Sequence, residues 1–238
     1  MEIRVTKKIN KKEKKIKSVR EWYKYAPPQN PKVQWKEGHS AKLLARYVLS
    51  ENFASDMTKI LNECGIKLPS ALNCEPEVNT KLPHGSMGRN HDLLIVDSDF
   101  VIGAEAKASE TFGNKIECEY NKSGIEKRNR INKLLEYIGK SKEEAINNKY
   151  QLLTGLVGTL LEAQRNNKSR CIFLIIIFKG DIEGNSGNND SDFKKFCEEI
   201  LGASSNGGKR HFIIEGHDIL CYIKKIEIDV TLNFRLNR

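Results

Sequence analysis

Asp92, Glu105 and Lys107 are the residues whose types and spacing can do chemistry in this sequence. On a strand, positions i and i+2 project from one face, so Glu105 and Lys107 point together while Ala104 and Ala106 pack behind. The apolar run His91-Asp-Leu-Leu-Ile-Val96 is followed by the turn residues Asp97-Ser-Asp99 and then by Phe100-Val-Ile-Gly-Ala-Glu-Ala-Lys107. Two such runs joined by three turn residues read as a β-hairpin. Pairing Leu93–Val96 with Val101–Ala104 puts Asp92 beside Glu105 at the open end, where two carboxylates and an ammonium converge. An acidic pair suits Mg²⁺, which prefers carboxylates and retained waters to His or Cys, with Mn²⁺ as its substitute. The Ala106 carbonyl, lying between the two side chains, is a natural extra ligand. A metal held there polarises a phosphodiester oxygen and lowers the pKa of a bound water. Lys107 orients that water or offsets the developing negative charge.

The hairpin needs elements to hold it. Ser40 reads as the N-cap of a helix whose Leu43, Leu44, Tyr47 and Val48 recur at helical spacing. A second helix, near Ser55 to Cys64, ends at Gly65, a residue suited to a left-handed C′ position. Glu77–Leu82 looks extended, and helices are expected near Ile125–Gly139 and over Tyr150–Arg165. The run Cys171–Phe178 is a fully buried strand. Beyond it come a polar loop over Gly180–Asp192, a short helix over Phe193–Leu201, a turn over Ser204–Gly208, and strands over Phe212–Glu215 and Asp218–Ile226. The alternation of helix and strand places the chain in the α/β class, with one domain over residues 25–238 behind a basic stretch at 1–24.

Charge and composition bound the partners. The 238 residues carry 40 Lys and Arg against 31 Asp and Glu, a net charge of +9. The longest apolar run, eight residues at Cys171–Phe178, falls far short of the roughly 20 that a spanning helix needs, so no membrane partner is expected. A basic N-terminus with no apolar segment behind it predicts a cytoplasmic protein. The six cysteines are scattered without a CxxC pair, which argues against a zinc ribbon or a disulfide framework. Residues 1–24 hold +7 of the net charge, with Lys7, Lys8, Lys11, Lys12, Lys14 and Lys15 at its centre. A block of like charge marks an arm for a polyanion, here nucleic acid. The other reading is a surface helix docked through Ile9, Ile16, Val19 and Tyr23.

Asp92, a twelve-residue gap, and Glu105-Ala-Lys107 closing an apolar strand resemble the signature of the PD-(D/E)XK, or restriction-endonuclease-like, nuclease superfamily. His91 stands where the name-giving pattern has proline. The resemblance implies an αβββαβ core with a mixed central sheet flanked by helices, over about residues 35–178, with 179–238 as a C-terminal extension. It implies a Mg²⁺-dependent endonuclease, with Asp92 and Glu105 as metal ligands, Lys107 as catalytic lysine and DNA as the first substrate class. A closer likeness is to an uncharacterised bacterial family of this fold. It rests on Trp35-Lys-Glu-Gly-His-Ser-Ala41, Asp92-Leu-Leu, Glu105-Ala-Lys107 with Glu110 and Phe112-Gly113, and Tyr150-Gln-Leu-Leu153, spanning about residues 20–178. Glu77 is the candidate for a further carboxylate, with Glu75 and Glu51 as competitors. Gln151 lies where the superfamily often places a residue facing the site. A homodimer suits double-strand cleavage. The rival reading is a catalytically inactive nucleic-acid-binding or protein-interaction module on the same fold.

Overall fold

The apolar run Cys171–Phe178 is satisfied only where both of its faces are covered, and the fold is arranged around it. The computed structural model describes residues 1–86, 88–180, 186–202 and 207–233. The strands are β1 (Glu2–Ile9), β2 (Lys12–Lys15), β3 (Ala71–Thr80), β4 (Arg89–Val96), β5 (Val101–Lys107), β6 (Arg170–Lys179), β7 (Gly207–Ile214) and β8 (His217–Asp229). They form one mixed sheet in the order β2-β1-β3-β4-β5-β6-β8-β7. In β6, Cys171, Phe173, Ile175 and Ile177 enter one core, and Ile172, Leu174, Ile176 and Phe178 enter the other.

Helices α1 (Val19–Tyr25), α2 (Pro31–Gln34), α3 (Ser40–Val48) and α4 (Glu51–Glu63) precede β3. Of these, α1, α3 and α4 bury Trp22, Leu44, Tyr47, Phe53 and Met57 against one face of the sheet. Helices α5 (Ile116–Asn121), α6 (Ile125–Tyr137), α7 (Lys142–Ala145) and α8 (Tyr150–Arg165) make the crossover from β5 to β6. Parallel neighbours require such a crossover. With α9 (Ser186–Phe196), which runs into a π-turn at Cys197–Leu201, they cover the second face; α10 (Val230–Asn233) follows β8. Helix α8 lies close on the sheet. A Cβ at Gly155 would stand 2.7 Å from the Phe173 ring, and one at Gly103 would stand 2.1 Å from Thr159 Oγ1. The α/β class expected from the sequence therefore holds, with a mixed sheet flanked by helices on both faces. No helix among the described residues is long and apolar enough to cross a membrane.

Several expectations are corrected. Residues 1–18 are neither a free arm nor a helix, and α1 begins only at Val19. β1 and β2 form a hairpin whose Asn10 and Lys11 take φ of 49° and 65°, the paired left-handed turn that matches strand twist. β1 then pairs in parallel with β3, and Val5 and Ile16 are buried. Only Val19 and Tyr23 of the supposed helical stripe share a helix, α1, which Ser18 caps. Ser40 is the first residue of α3 and His39 is its N-cap. Helix α4 starts at Glu51, a turn before the expected start, and ends as expected at Gly65 with φ 62°. The expected loop 180–192 gives way to α9 at Ser186, and its residues 181–185 lie outside the described residues, as do 204–206 of the expected turn. The C-terminal extension is part of the sheet, since β8 pairs with β6 over ten residues.

Candidate active site

The β4–β5 register is the expected one, Leu93 with Ala104 through Val96 with Val101. The ladder stops there, but β5 runs on to Lys107 because β6 pairs it from the other side. Asp92, one step past the last rung, turns its Oδ2 to accept the Ala106 N–H at 2.7 Å. A residue's N–H and C=O leave a strand on the same side, so the Ala106 carbonyl also faces Asp92. Glu105 and Lys107 share a face, with Nζ donating to Oε1 at 2.6 Å.

A kink sets the rest of the geometry. Leu93 packs into the core beneath α3 and α4, whereas His91, two residues earlier, touches Gly103 and Gly158 on the α8 side. Residues two apart on a regular strand share a face, so β4 changes face at Asp92. Opposite it, β3 changes face at Glu77, which takes φ 50° between Pro76 and Val78. A non-glycine residue in that region costs about 1–2 kcal/mol. Lys7 secures the kink, its Nζ donating to the Pro76 and Glu77 carbonyls at 2.8 and 2.9 Å. The kink also brings Arg89 to the α8 side, where it ion-pairs with Glu105 and donates to Thr154 Oγ1 at 3.2 Å.

Glu77, Arg89, Asp92, Glu105, Lys107 and Thr154 line one cavity of about 810 Å³, which also takes in Ser40, Glu110, Lys127, Tyr150 and Gln151. Burial pushes the Glu77 carboxyl up to about 9, with repulsion from Asp92 and Glu105 adding to it. Burial and Glu105 likewise raise Asp92 to about 7, against the pull of Lys107 and the Ala106 N–H. At Glu105 burial works the same way, but Arg89 and Lys107 outweigh it and hold the carboxyl below its usual range. Lys107 is raised: burial opposes its charge, and Glu105 and Asp92 more than offset that. Burial drives His91 down to about 3, which leaves it neutral.

A sequence profile described as a domain of unknown function, DUF6946, matches residues 15–229. The chain belongs to the DUF6946 family. No curated protein matches it, and no solved structure does. The matched stretch of this DUF6946 chain includes every cavity residue named above but leaves out Lys7 to Lys14.

Of the expected site residues, Asp92, Glu105, Lys107, Glu77 and Gln151 all line the cavity. Among the three candidate carboxylates Glu77 is the one present. Glu75 pairs with Lys7 at 3.4 Å, and Glu51 is exposed at the start of α4. Gln151 packs against the Gly113 turn, with its Oε1 buried and unpaired. Lys8, Lys11, Lys12, Lys14 and Lys15 are exposed on the hairpin, but Lys7 is not available as a phosphate contact because β3 engages its ammonium. Among the described residues no three His, Cys, Asp or Glu side chains are gathered closely enough to hold a metal. Both Glu105 oxygens are engaged by cations.

Arg89 and Glu110 are the cavity residues whose roles the sequence does not give. Glu110 accepts from the Ser40 N–H at 2.9 Å, the Ser40 hydroxyl at 2.7 Å and the Ala108 N–H at 2.9 Å, tying the end of β5 to the start of α3. Its place in the sequence likeness was a signal for it. Arg89 had none, since simple alternation from Leu93 points it away from Glu105.

Proposed function

We propose that this protein is a divalent-metal-dependent nuclease of the PD-(D/E)XK type, hydrolysing phosphodiester bonds, in DNA first. The observation that carries the reading is the meeting of Asp92 and Glu105 across the end of the β4–β5 hairpin, in a cavity shared with Lys107. Burial, with mutual repulsion of Glu77, Asp92 and Glu105 adding to it, makes Glu77 and Asp92 hold protons more tightly. A divalent cation supplies the missing counter-charge, so the donor set suits Mg²⁺ or Mn²⁺. Asp92, Glu105 and the Ala106 carbonyl would hold it, with Glu77 as a further carboxylate. Waters would fill the remaining positions, as Mg²⁺ requires.

When bound, the ion polarises the scissile phosphate and acidifies a water. Lys107 is charged at neutral pH, so its part is to orient that water and offset charge growing on the phosphoryl oxygens, not to take a proton. The water gives up a proton to solvent as its oxygen joins phosphorus, the ester P–O bond breaks, and the departing oxygen takes a proton from solvent. The unpaired Gln151 Oε1 accepts a hydrogen bond from water or substrate. Lys8, Lys11, Lys12, Lys14 and Lys15 contact backbone phosphates outside the cavity, with counterion release making that contact salt-sensitive. The setting is cytoplasmic, and a homodimer would present one such site to each strand of a duplex.

One observation favours a second reading, a binding module without turnover: the ion-paired Glu105 has no free oxygen for a metal. Cleavage of plasmid, linear duplex and single-stranded DNA, with Mg²⁺, Mn²⁺ or EDTA, separates the two. Metal-dependent cutting should disappear in Asp92→Asn and fall at least about 100-fold in Lys107→Ala. Cutting that survives both substitutions would refute the nuclease assignment. Salt-sensitive binding with no cutting by the unmodified protein would select the module.

A further inference from the structure

Arg89 is an unusual buried arginine. Its side chain is 8% exposed and ion-pairs with a carboxylate that Lys107 already neutralises. Two full positive charges therefore share Glu105. Its Nη1 reaches only a threonine hydroxyl, at 3.2 Å, and its Nε is buried with no acceptor. A buried donor left unpaired costs about 1–3 kcal/mol. The side chain runs past Gly155 and Gly158 of α8 at ordinary contact distance: a Cβ at Gly155 would stand 3.5 Å from Nη2, and one at Gly158 would stand 3.8 Å from Cδ. The guanidinium thus lies under-bonded on the Glu105 oxygen that a metal would need, inside the same cavity.

We propose that Arg89 is a placeholder cation. It occupies Glu105 Oε2 in the metal-free protein, gives up that oxygen when a divalent ion binds, and turns its fork to a phosphate of the bound nucleic acid. The inference rests on the nuclease reading above and extends it. A carboxylate oxygen engaged by a guanidinium is not free to ligate, so the ion and Arg89 compete for it. Lys107 keeps Oε1 throughout. Once released, the guanidinium has the planar fork that matches phosphate oxygens in pairs. Arg89 then has two effects of opposite sign, opposing metal binding in the empty site and supporting the reaction in the full one. An arginine that only braces the fold has neither.

The test is calorimetric titration of Mn²⁺, without nucleic acid, into the unmodified protein, Arg89→Gln, Thr154→Val and Lys127→Gln, each stripped with EDTA, with DNA cleavage measured alongside. Arg89→Gln should bind Mn²⁺ about tenfold more tightly than the unmodified protein, yet cut at least about 100-fold more slowly at saturating Mn²⁺. Thr154→Val removes the hydroxyl that holds Nη1, together with that hydroxyl's bond to the Gln151 carbonyl within α8, and should tighten Mn²⁺ about two- to threefold. Lys127→Gln removes the same unit charge from the cavity wall without touching Glu105, and should leave Mn²⁺ affinity within about twofold. Equal or weaker Mn²⁺ binding in Arg89→Gln overturns the proposal, as does equal tightening in Lys127→Gln. If Arg89→Gln does not fold, Thr154→Val decides by the same sign. Mn²⁺ binding by none of the four proteins removes the nuclease reading and this inference together. Mn²⁺-dependent cutting by the unmodified protein, with Arg89→Gln binding no more tightly, removes this inference alone.

Discussion

Two clusters of carboxylates and cations sit at strand ends in this sheet, and they are built on opposite principles. Around the end of β6, Lys179 and Lys225 each bridge Asp190 and Glu227, with four contacts of 2.6 to 2.9 Å. Charges alternate and every member has two partners. Asp190 and Glu227 are lowered and both lysines raised, so each group is more firmly ionised than in water. At the end of β5, by contrast, the buried Glu105 and the half-buried Glu77 and Asp92 face two cations that both attach to Glu105. Glu77 and Asp92 are driven toward the neutral form. The first cluster is complete as it stands. The second is short of positive charge at Glu77 and Asp92 while carrying an excess at Glu105, the imbalance a mobile ion can correct. The direction of the carboxyl shifts tells a structural cluster from a candidate reactive one.

The contrast breaks most visibly at Glu105. Glu105→Gln removes the one anion between two buried cations, and breaking a buried pair from one side costs about 3–5 kcal/mol. Urea unfolding of the metal-free protein should show a loss of that size. A loss under about 1 kcal/mol would mean that water already screens the site, and the comparison would fail.

A second effect sharpens the comparison through pH. A carboxyl whose pKa is raised by folding holds its proton more tightly in the native state, so the native state loses stability as pH climbs from the unfolded value toward the folded one. For Glu77 that climb runs from 4.5 to about 9. Below pH 6.5 the buried neutral His91 acts with the opposite sign, so the clean window is about pH 6.5 to 8. There Glu77 alone should cost the metal-free protein up to about 1.4 kcal/mol per pH unit, with Asp92 adding to the slope up to about pH 7. Glu77→Gln should flatten the slope, leaving only the part from Asp92, which ends near 7. An unchanged slope in Glu77→Gln would show that Glu77 is not proton-bound at neutral pH.

Much of this arrangement was readable in the sequence, and the unread parts share one cause. The register of β4 on β5, the span of α8 and the buried β6 follow from period and turn residues, which act locally. The meeting of Asp92 with Glu105 follows from that register. The change of face at Glu77 and Asp92 does not, because it depends on a left-handed residue, a proline without an N–H and a lysine sixty-nine positions away. The placement of Arg89 on Glu105, which depends on the kink, is therefore not legible in the sequence. The N-terminal segment departs from the expected arm for a related reason. The density of its lysines suggests an arm, but Val5 and Ile16 anchor the segment in the core and the Asn10-Lys11 turn folds it into the sheet.

The smallest expected effect lies in the complete cluster, and it tests whether completeness or simply charge number matters. Glu227→Gln removes one of two anions from a ring whose members are 15% to 41% exposed. Asp190 still pairs both lysines, so no cation is stranded and water screens what remains. The loss should be about 0.2–1 kcal/mol, the range of exposed pairs. It should shrink toward zero in 1 M salt, where the screening length is about 3 Å. Glu105→Gln should keep most of its loss at that salt, since its partners are buried. Equal losses with equal salt dependence would make the two clusters one kind of object, and the argument from carboxyl shifts to a reactive site would lose its footing.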